Sequence, residues 1–222
     1  MQTSDFLATV PLFQGLDSME LQGLAELTRE RTYPKGSVIV FEDDPGDSLF
    51  VVKDGRVKVV LVGEDGREVI LGILGRGEHF GELSLIDGQP RSAHVIAADD
   101  TQLLILRRED VRRRVEESPP LAWALLTALS RRLRRADEQI GGLVLLDVHG
   151  RIARFILDSA GPDGTLDKKL THQTIAHMIG ASRETVSRAM REFQDKGLIS
   201  VQRRQIAVAN RTGLEEAARK RA

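Results

Sequence analysis

The chain is 222 residues long, 41% hydrophobic and 29% charged, with 32 Lys and Arg against 33 Asp and Glu, enough to bury the core of one large domain or two small ones. Cysteine is absent, which excludes disulfide staples, thiolate zinc sites, iron–sulfur clusters and cysteine nucleophiles. No apolar run approaches the ~20 residues of a spanning helix, and Met1–Val10 lacks a basic stretch ahead of an apolar one, so the sequence reads as cytoplasmic, with no membrane partner. The near-null total charge hides an asymmetry. From Lys168 onward twelve basic residues face five acidic ones, +7, while the rest of the chain holds twenty against twenty-eight, −8. A basic terminal quarter suits a polyanionic partner, although a solvated helical surface would carry the same charge.

In chain order, a helix is expected over Asp17–Arg31. Short β-branched runs follow at Ser37–Phe41, Ser48–Lys53, Val57–Leu61 and Val69–Ile73, and the series continues at Ala93–Ala98 and Leu103–Leu106. Asp54-Gly55 and Asp65-Gly66 stand between such runs, a strong hairpin signal. This spacing predicts an antiparallel barrel or jelly roll.

Between two of the strands lies a cassette, His79–Ala93. Gly81 permits close backbone approach, and Glu82–Ser84 can open a short helix with free amides. Arg91 can grip a phosphate bidentately and Ser92 adds a hydroxyl. Glu82 would repel bare phosphate but can accept from a sugar hydroxyl, so the set suits a cyclic ribose phosphate. A loop in which Glu82 and Arg91 merely pair is the plainer reading.

Pro119-Pro120 can start a helix. Beyond it Ala122, Leu126, Leu129, Leu133, Ala136, Ile140 and Leu143 fall at alternating steps of four and three, the seam of a coiled coil flanked by charge. A helix lying on its own barrel would want a wider apolar face, so a parallel homodimer is expected. Asp147 offers a cap to the next helix, through Leu157, and Gly161–Gly164 ends it in a loop.

Thr171–Met190 then has the grammar of a helix-turn-helix. Thr171 caps a helix with Ile175, Ala176 and Ile179 inward, Gly180 closes it, and Ser182 caps a second helix with Val186, Ala189, Met190 and Phe193 inward. The outward face carries Arg183, Glu184, Ser187 and Arg188. A hairpin over Gly197–Val208 completes a winged motif. Arg can fork onto guanine and Glu can accept from cytosine, which suits reading of the major groove. No P-loop, nucleophile elbow or metal-ligand spacing occurs and the five His are scattered, so no enzyme is expected.

Gly81–Leu83 (Gly-Glu-Leu), Arg91–Ala93 (Arg-Ser-Ala), Leu146–Val148 (Leu-Asp-Val), Gly150–Ala153 (Gly-Arg-Ile-Ala) and Ser182–Val186 (Ser-Arg-Glu-Thr-Val) occur in one order. By these motifs the sequence resembles the CRP/FNR family of bacterial transcription regulators, near its cyclic-AMP receptor branch, over roughly Leu12–Asn210. The resemblance implies an α+β fold: a cyclic-nucleotide-binding β-barrel (jelly roll) over 1–118, a dimerisation helix and hinge over 119–146, and a winged helix-turn-helix over 147–222. It implies cyclic AMP, or another cyclic nucleotide, as effector, with no metal, haem or iron–sulfur cluster. Gly81, Glu82 and Leu83 belong to the implied ligand site; Glu82 would hold the ribose 2′-hydroxyl, Arg91 and Ser92 the cyclic phosphate.

The implied DNA partner is a palindrome with GTGA-like half-sites, read by Arg183, Glu184 and Arg188. Thr171, Gln173, Ser182 and Thr185 would touch its backbone, with Arg203 and Arg204 meeting phosphates from the wing. RNA polymerase is an implied partner, with the loop Ala160–Asp167 at a place where the family often meets it. The base-contacting Thr and Ser of the cyclic-AMP branch are Ala136 and Asp137 here, so base identity stays open between adenine and guanine; Arg134 or Arg135 could compensate. Two alternatives remain: a cyclic-GMP-responsive regulator, and a ligand-independent regulator with a degenerate barrel. His79 and His94, isolated in the barrel, read as surface residues rather than haem ligands.

Overall fold

The computed structural model describes residues 2–202 and 205–219. Helix α1 (Thr3–Thr9) and a 3-10 turn (Pro11–Phe13) lead to α2 (Ser18–Leu27), whose cap Asp17 accepts from the N–H groups of Met19 and Glu20. The helix expected to reach Arg31 stops at Leu27. Thr28 is extended, and Arg29–Tyr33 form strand β1 at the edge of a sheet. Charged residues are favoured on such an edge because they discourage pairing with other chains; Arg and Glu are also good helix formers, which is why Arg29–Arg31 resembles a helix in sequence.

The strands β2 (Val38–Val40), β3 (Ser48–Asp54), β4 (Val57–Val62), β5 (Glu68–Leu74) and β6 (His79–Phe80) follow. Then come helix α3 (Glu82–Asp87), β7 (His94–Ala97) and β8 (Thr101–Arg107). They pair antiparallel in two four-stranded sheets, β1-β8-β3-β6 and β2-β7-β4-β5, giving the jelly roll. Strand β3 explains why its sequence is continuously apolar. Phe50 and Val52 face Val57, Leu74 and Val95 of the other sheet, while Leu49 and Val51 join a second core with Phe6, Leu12, Leu24 and Val111. With both faces buried, alternation disappears. The tight turn at Gly55 needs its positive φ of +79°, and a Cβ there would meet the Asp100 carbonyl.

Helix α4 (Arg108–Glu117) joins the barrel to α5 (Pro119–Leu145). The chain divides into two compact units, Met1–Leu133 and Arg134–Ala222, with the division inside α5. Leu121 and Leu125 anchor the start of α5 in the first unit's helical core. Farther along, the expected seam is an exposed apolar row: Leu126, Leu133, Ile140 and Leu143 are 53–64% exposed.

The second unit continues with α6 (Val148–Ser159), α7 (His172–Ile179), α8 (Arg183–Asp195), strands β9 (Ile199–Gln202) and β10 (Gln205–Val208), and α9 (Arg211–Ala217). Asp147 caps α6 by accepting from Gly150 N–H at 2.6 Å. Ile152, Ile156, Ile175, Val186, Met190, Phe193 and Leu214 form its core. The loop after α6 is tied to the wing: Leu166 N–H donates to the Ile206 carbonyl and Thr165 bridges Ala207. No helix among the described residues is long and apolar enough to cross a membrane.

Candidate functional site

In the first unit, Gly81 closes β6 with φ +88°, and a Cβ there would stand 2.5 Å from Arg91 Nη1 and 2.8 Å from the Ser48 carbonyl oxygen. Glycine is therefore required twice, by conformation and by space. The turn it makes starts α3 and drives Glu82 inward, where the side chain is 1% exposed. Glu82 Oε1 pairs with the guanidinium of Arg132 from α5, while Oε2 is buried with no hydrogen-bond partner. The same guanidinium donates to the His79 carbonyl at 3.3 Å.

Arg91 is 6% exposed. Its Nη1 donates to the Gly81 carbonyl at 3.1 Å and its Nη2 to that of Ser48 at 2.8 Å, and the group lies 5.6 Å from the Phe50 ring centre. Burial pulls the guanidinium below its ordinary pKa, against the opposing pull of Asp47, Glu82 and Asp44. It is held by neutral carbonyls and does not pair with Glu82, so the plainer salt-bridge reading of the cassette is wrong. A buried cation without a bonded carboxylate, beside a carboxylate oxygen without a donor, can serve a ligand carrying both an anion and a hydroxyl.

Ser92 is exposed beside Arg91 and Leu83 is exposed on α3; Ala136 and Asp137 lie on α5 in the second unit, the aspartate exposed. Arg132 is the functional candidate that sequence reasoning missed. It sits in a run of arginines that reads as the solvated flank of the seam, fifty residues from Glu82; the available signal was a buried carboxylate in need of a cation. His79 is half-buried rather than on the surface, and burial holds its imidazole below the ordinary value, opposed by Glu82 and reinforced by Arg132. His94 accepts from the Glu42 N–H at Nδ1 and meets Phe41 edge-on. Among the described residues no three His, Cys, Asp or Glu gather as a metal site.

In the second unit the turn between α7 and α8 is built by local chemistry. Thr171 Oγ1 accepts from Thr174 N–H, Gly180 adopts φ +65°, and Ser182 Oγ accepts from Thr185 N–H. Ile175, Ala176, Ile179, Val186, Ala189, Met190 and Phe193 are buried, which leaves Arg183, Glu184 and Arg188 exposed along α8. Thr171 and Gln173 are exposed at the start of α7, and Gln173 meets the His177 ring. Ser187 is half-buried, its Oγ 3.0 Å from Nδ1 of His172. Arg203 and Arg204, expected in the wing, lie outside the described residues.

Residues 30–118 match the family model described as the cyclic nucleotide-binding domain, and residues 150–217 that of the Crp-like helix-turn-helix domain. The CRP-like cAMP-activated global transcriptional regulator of Mycobacterium tuberculosis is 32% identical, over 97% of this chain and 99% of that protein. The cyclic AMP receptor protein of Thermus thermophilus is 35% identical, over 94% and 96%. Among solved structures, the c-di-GMP responsive global regulator CLP of Xanthomonas campestris superposes with a TM-score of 0.75 at 25% identity, over 87% and 100%. Fold, paired domains and full-length similarity agree: the chain belongs to the CRP/FNR family of DNA-binding transcription regulators.

Proposed function

We propose that the chain is a homodimeric regulator whose affinity for a palindromic operator is set by a cyclic nucleotide, cyclic AMP in the first instance. The observation that carries this reading is the unpartnered, buried Oε2 of Glu82 next to an Arg91 bonded only to carbonyls. Glu82 would accept from the ribose 2′-hydroxyl. Arg91 and Ser92 would donate to the cyclic phosphate, with the backbone at Gly81 and Leu83 close against the ligand. Arg132 would share the Glu82 carboxylate with the sugar and so link the ligand to α5. The segments 1–118, 119–146 and 147–222 act in this reading as sensor, dimer helix with hinge, and DNA reader.

The dimer would form along α5, where the apolar row Leu126, Leu133, Ile140 and Leu143 has the spacing of a two-stranded seam. Ligand binding would favour a longer seam toward Leu143–Leu146 and set two α8 helices one helical turn of DNA apart. Arg183, Glu184 and Arg188 would read a GTGA-like half-site. Thr171, Gln173, Ser182, Thr185 and Ser187 would contact it from the helix ends and flank, with Arg203 and Arg204 on phosphates. RNA polymerase would be the partner of the bound dimer.

A second reading concerns the base. Asp137 is acceptor-only when ionised and matches the two donors of a guanine edge, and the structural relative CLP is described as c-di-GMP responsive. Calorimetric titration with cyclic AMP, cyclic GMP and c-di-GMP, with sedimentation in each state, separates the readings. Heat from none of the three would leave only a ligand-independent regulator.

A further inference from the structure

His172 is the first residue of α7, and its ring reaches across to the middle of α8, where Nδ1 meets Ser187 Oγ at 3.0 Å. The charged groups acting on the half-buried ring are Arg183 and Arg191, both from α8, and no carboxylate is among them. On its own helix the nearest titratable group is His177, whose ring is engaged by Gln173. Among the described residues neither Arg183 nor Arg191 has an ion-pair partner. Two unpaired guanidinium groups thus act on the imidazole that meets one serine of the helix read above as entering the groove.

The hydrogen-bond arithmetic of this pair is restrictive. A serine hydroxyl owns one hydrogen. When the neutral ring presents an unprotonated Nδ1, that hydrogen is spent on the ring, and Ser187 can offer DNA only lone pairs, which a phosphate oxygen does not bind. When the ring takes a proton from solvent, an N–H bond forms at Nδ1 and the bond turns round. Nδ1–H then donates to Oγ, the serine hydrogen is released toward phosphate or a base acceptor, and the ring's charge joins Arg183 and Arg191 against the polyanion. Burial and the two arginines hold the free ring below its ordinary pKa, whereas a duplex against the same face acts in the opposite direction.

We propose that His172 sets the hydrogen-bond polarity of Ser187, and that operator binding is thereby coupled to uptake of about one proton per protomer at this pair. The proposal rests on the reading of α8 as the DNA-contacting helix. His172 acts through Ser187 and is a positioning residue. Its neutral Nδ1–H tautomer would release the same serine hydrogen without taking up a proton, so the proton count distinguishes the two.

The test is calorimetric titration of the full chain, saturated with cyclic AMP, into a self-complementary duplex carrying two GTGA half-sites. It is run at pH 6.5 in buffers of different ionisation enthalpy, with affinity followed from pH 7.5 to 6.0. The wild type takes up protons and tightens roughly tenfold per protomer over that range, about a hundredfold for a dimer on both half-sites. His172→Asn, whose amide imitates a permanent Nδ1–H donor, loses the uptake and the pH dependence while binding at pH 7.5 at least as tightly as wild type. His149→Asn keeps both. Histidine-selective NMR on the wild type needs no variant: the His172 ring titrates at higher pH with duplex than without. Duplex binding with no proton uptake, or uptake unchanged in His172→Asn, overturns this proposal alone. A wild type that binds no duplex with or without cyclic AMP overturns the DNA-reading assignment and the proposal with it.

Discussion

Replacing Arg91 by leucine separates what the guanidinium does for the fold from what it does for the effector. The side chain is 6% exposed and bonded to two carbonyls. Removing it leaves those two acceptors short of a donor, about 1–3 kcal/mol each, but relieves the desolvation of a buried cation, several kcal/mol in the other direction. The two nearly cancel, so stability moves by no more than about 2 kcal/mol either way. The nucleotide has no such compensation. It loses two charge-assisted hydrogen bonds to phosphate, about 1.5–3 kcal/mol each, which is roughly a 10²–10⁴-fold loss of affinity. Calorimetry gives the affinity, and thermal melting gives a second view. Ligand at about a hundred times its Kd should stabilise the wild type by about 2.7 kcal/mol and leave Arg91→Leu unmoved. A folded variant that binds within threefold of wild type would refute the assignment of Arg91 to the phosphate.

Three further expectations follow from other parts of the chain. Gly141 and Gly142 sit in α5 with nothing within 4 Å of an added Cβ, so converting both to alanine stabilises the helix by about 1 kcal/mol each. If a firmly helical end of α5, carrying the seam toward Leu143–Leu146, favours the active state, DNA affinity without nucleotide rises roughly tenfold or more; fluorescence anisotropy that finds no rise counts against that role of the seam. His79 is held below its ordinary pKa, first by burial. The unfolded chain therefore takes up a proton before the folded one, and stability is full above about pH 6.5 and is lost as pH falls below it; urea midpoints of His79→Gln should fall less between pH 7.5 and 5.5. Operator affinity should drop steeply and linearly on a log–log salt plot despite a total charge of −1, and a salt-insensitive complex would mean that phosphates are not the target.

What could be read from the sequence was what local chemistry dictates. Thr171, Gly180 and Ser182 mark the helix-turn-helix because capping hydrogen bonds and a left-handed residue act within three or four positions. Gly81, Glu82 and Arg91 stood out for a similar reason, since each residue type is restricted in what it can do in a buried loop. Two kinds of feature escaped. Elements whose residues favour another state, or are too short to mark, do not show: Arg29–Arg31 reads as the tail of a helix, and the two-residue strand His79–Phe80 has no run of its own. Pairings between distant residues carry no local signature: Arg132 on Glu82 spans fifty positions and His172 on Ser187 fifteen. In the function proposed above both would matter, because one fills half of a buried carboxylate and the other would decide what a serine on α8 can donate.

The central claim is that a nucleotide bound by Glu82 and Arg91 changes the chain's hold on DNA. Its most direct test is the operator affinity of the wild type, measured by anisotropy on a GTGA palindrome with saturating cyclic AMP, with saturating cyclic GMP and with neither. At least one nucleotide should raise that affinity by about tenfold or more, as an allosteric coupling of 1–3 kcal/mol requires, and should do nothing for Arg91→Leu. Identical affinity in all three conditions would contradict the account.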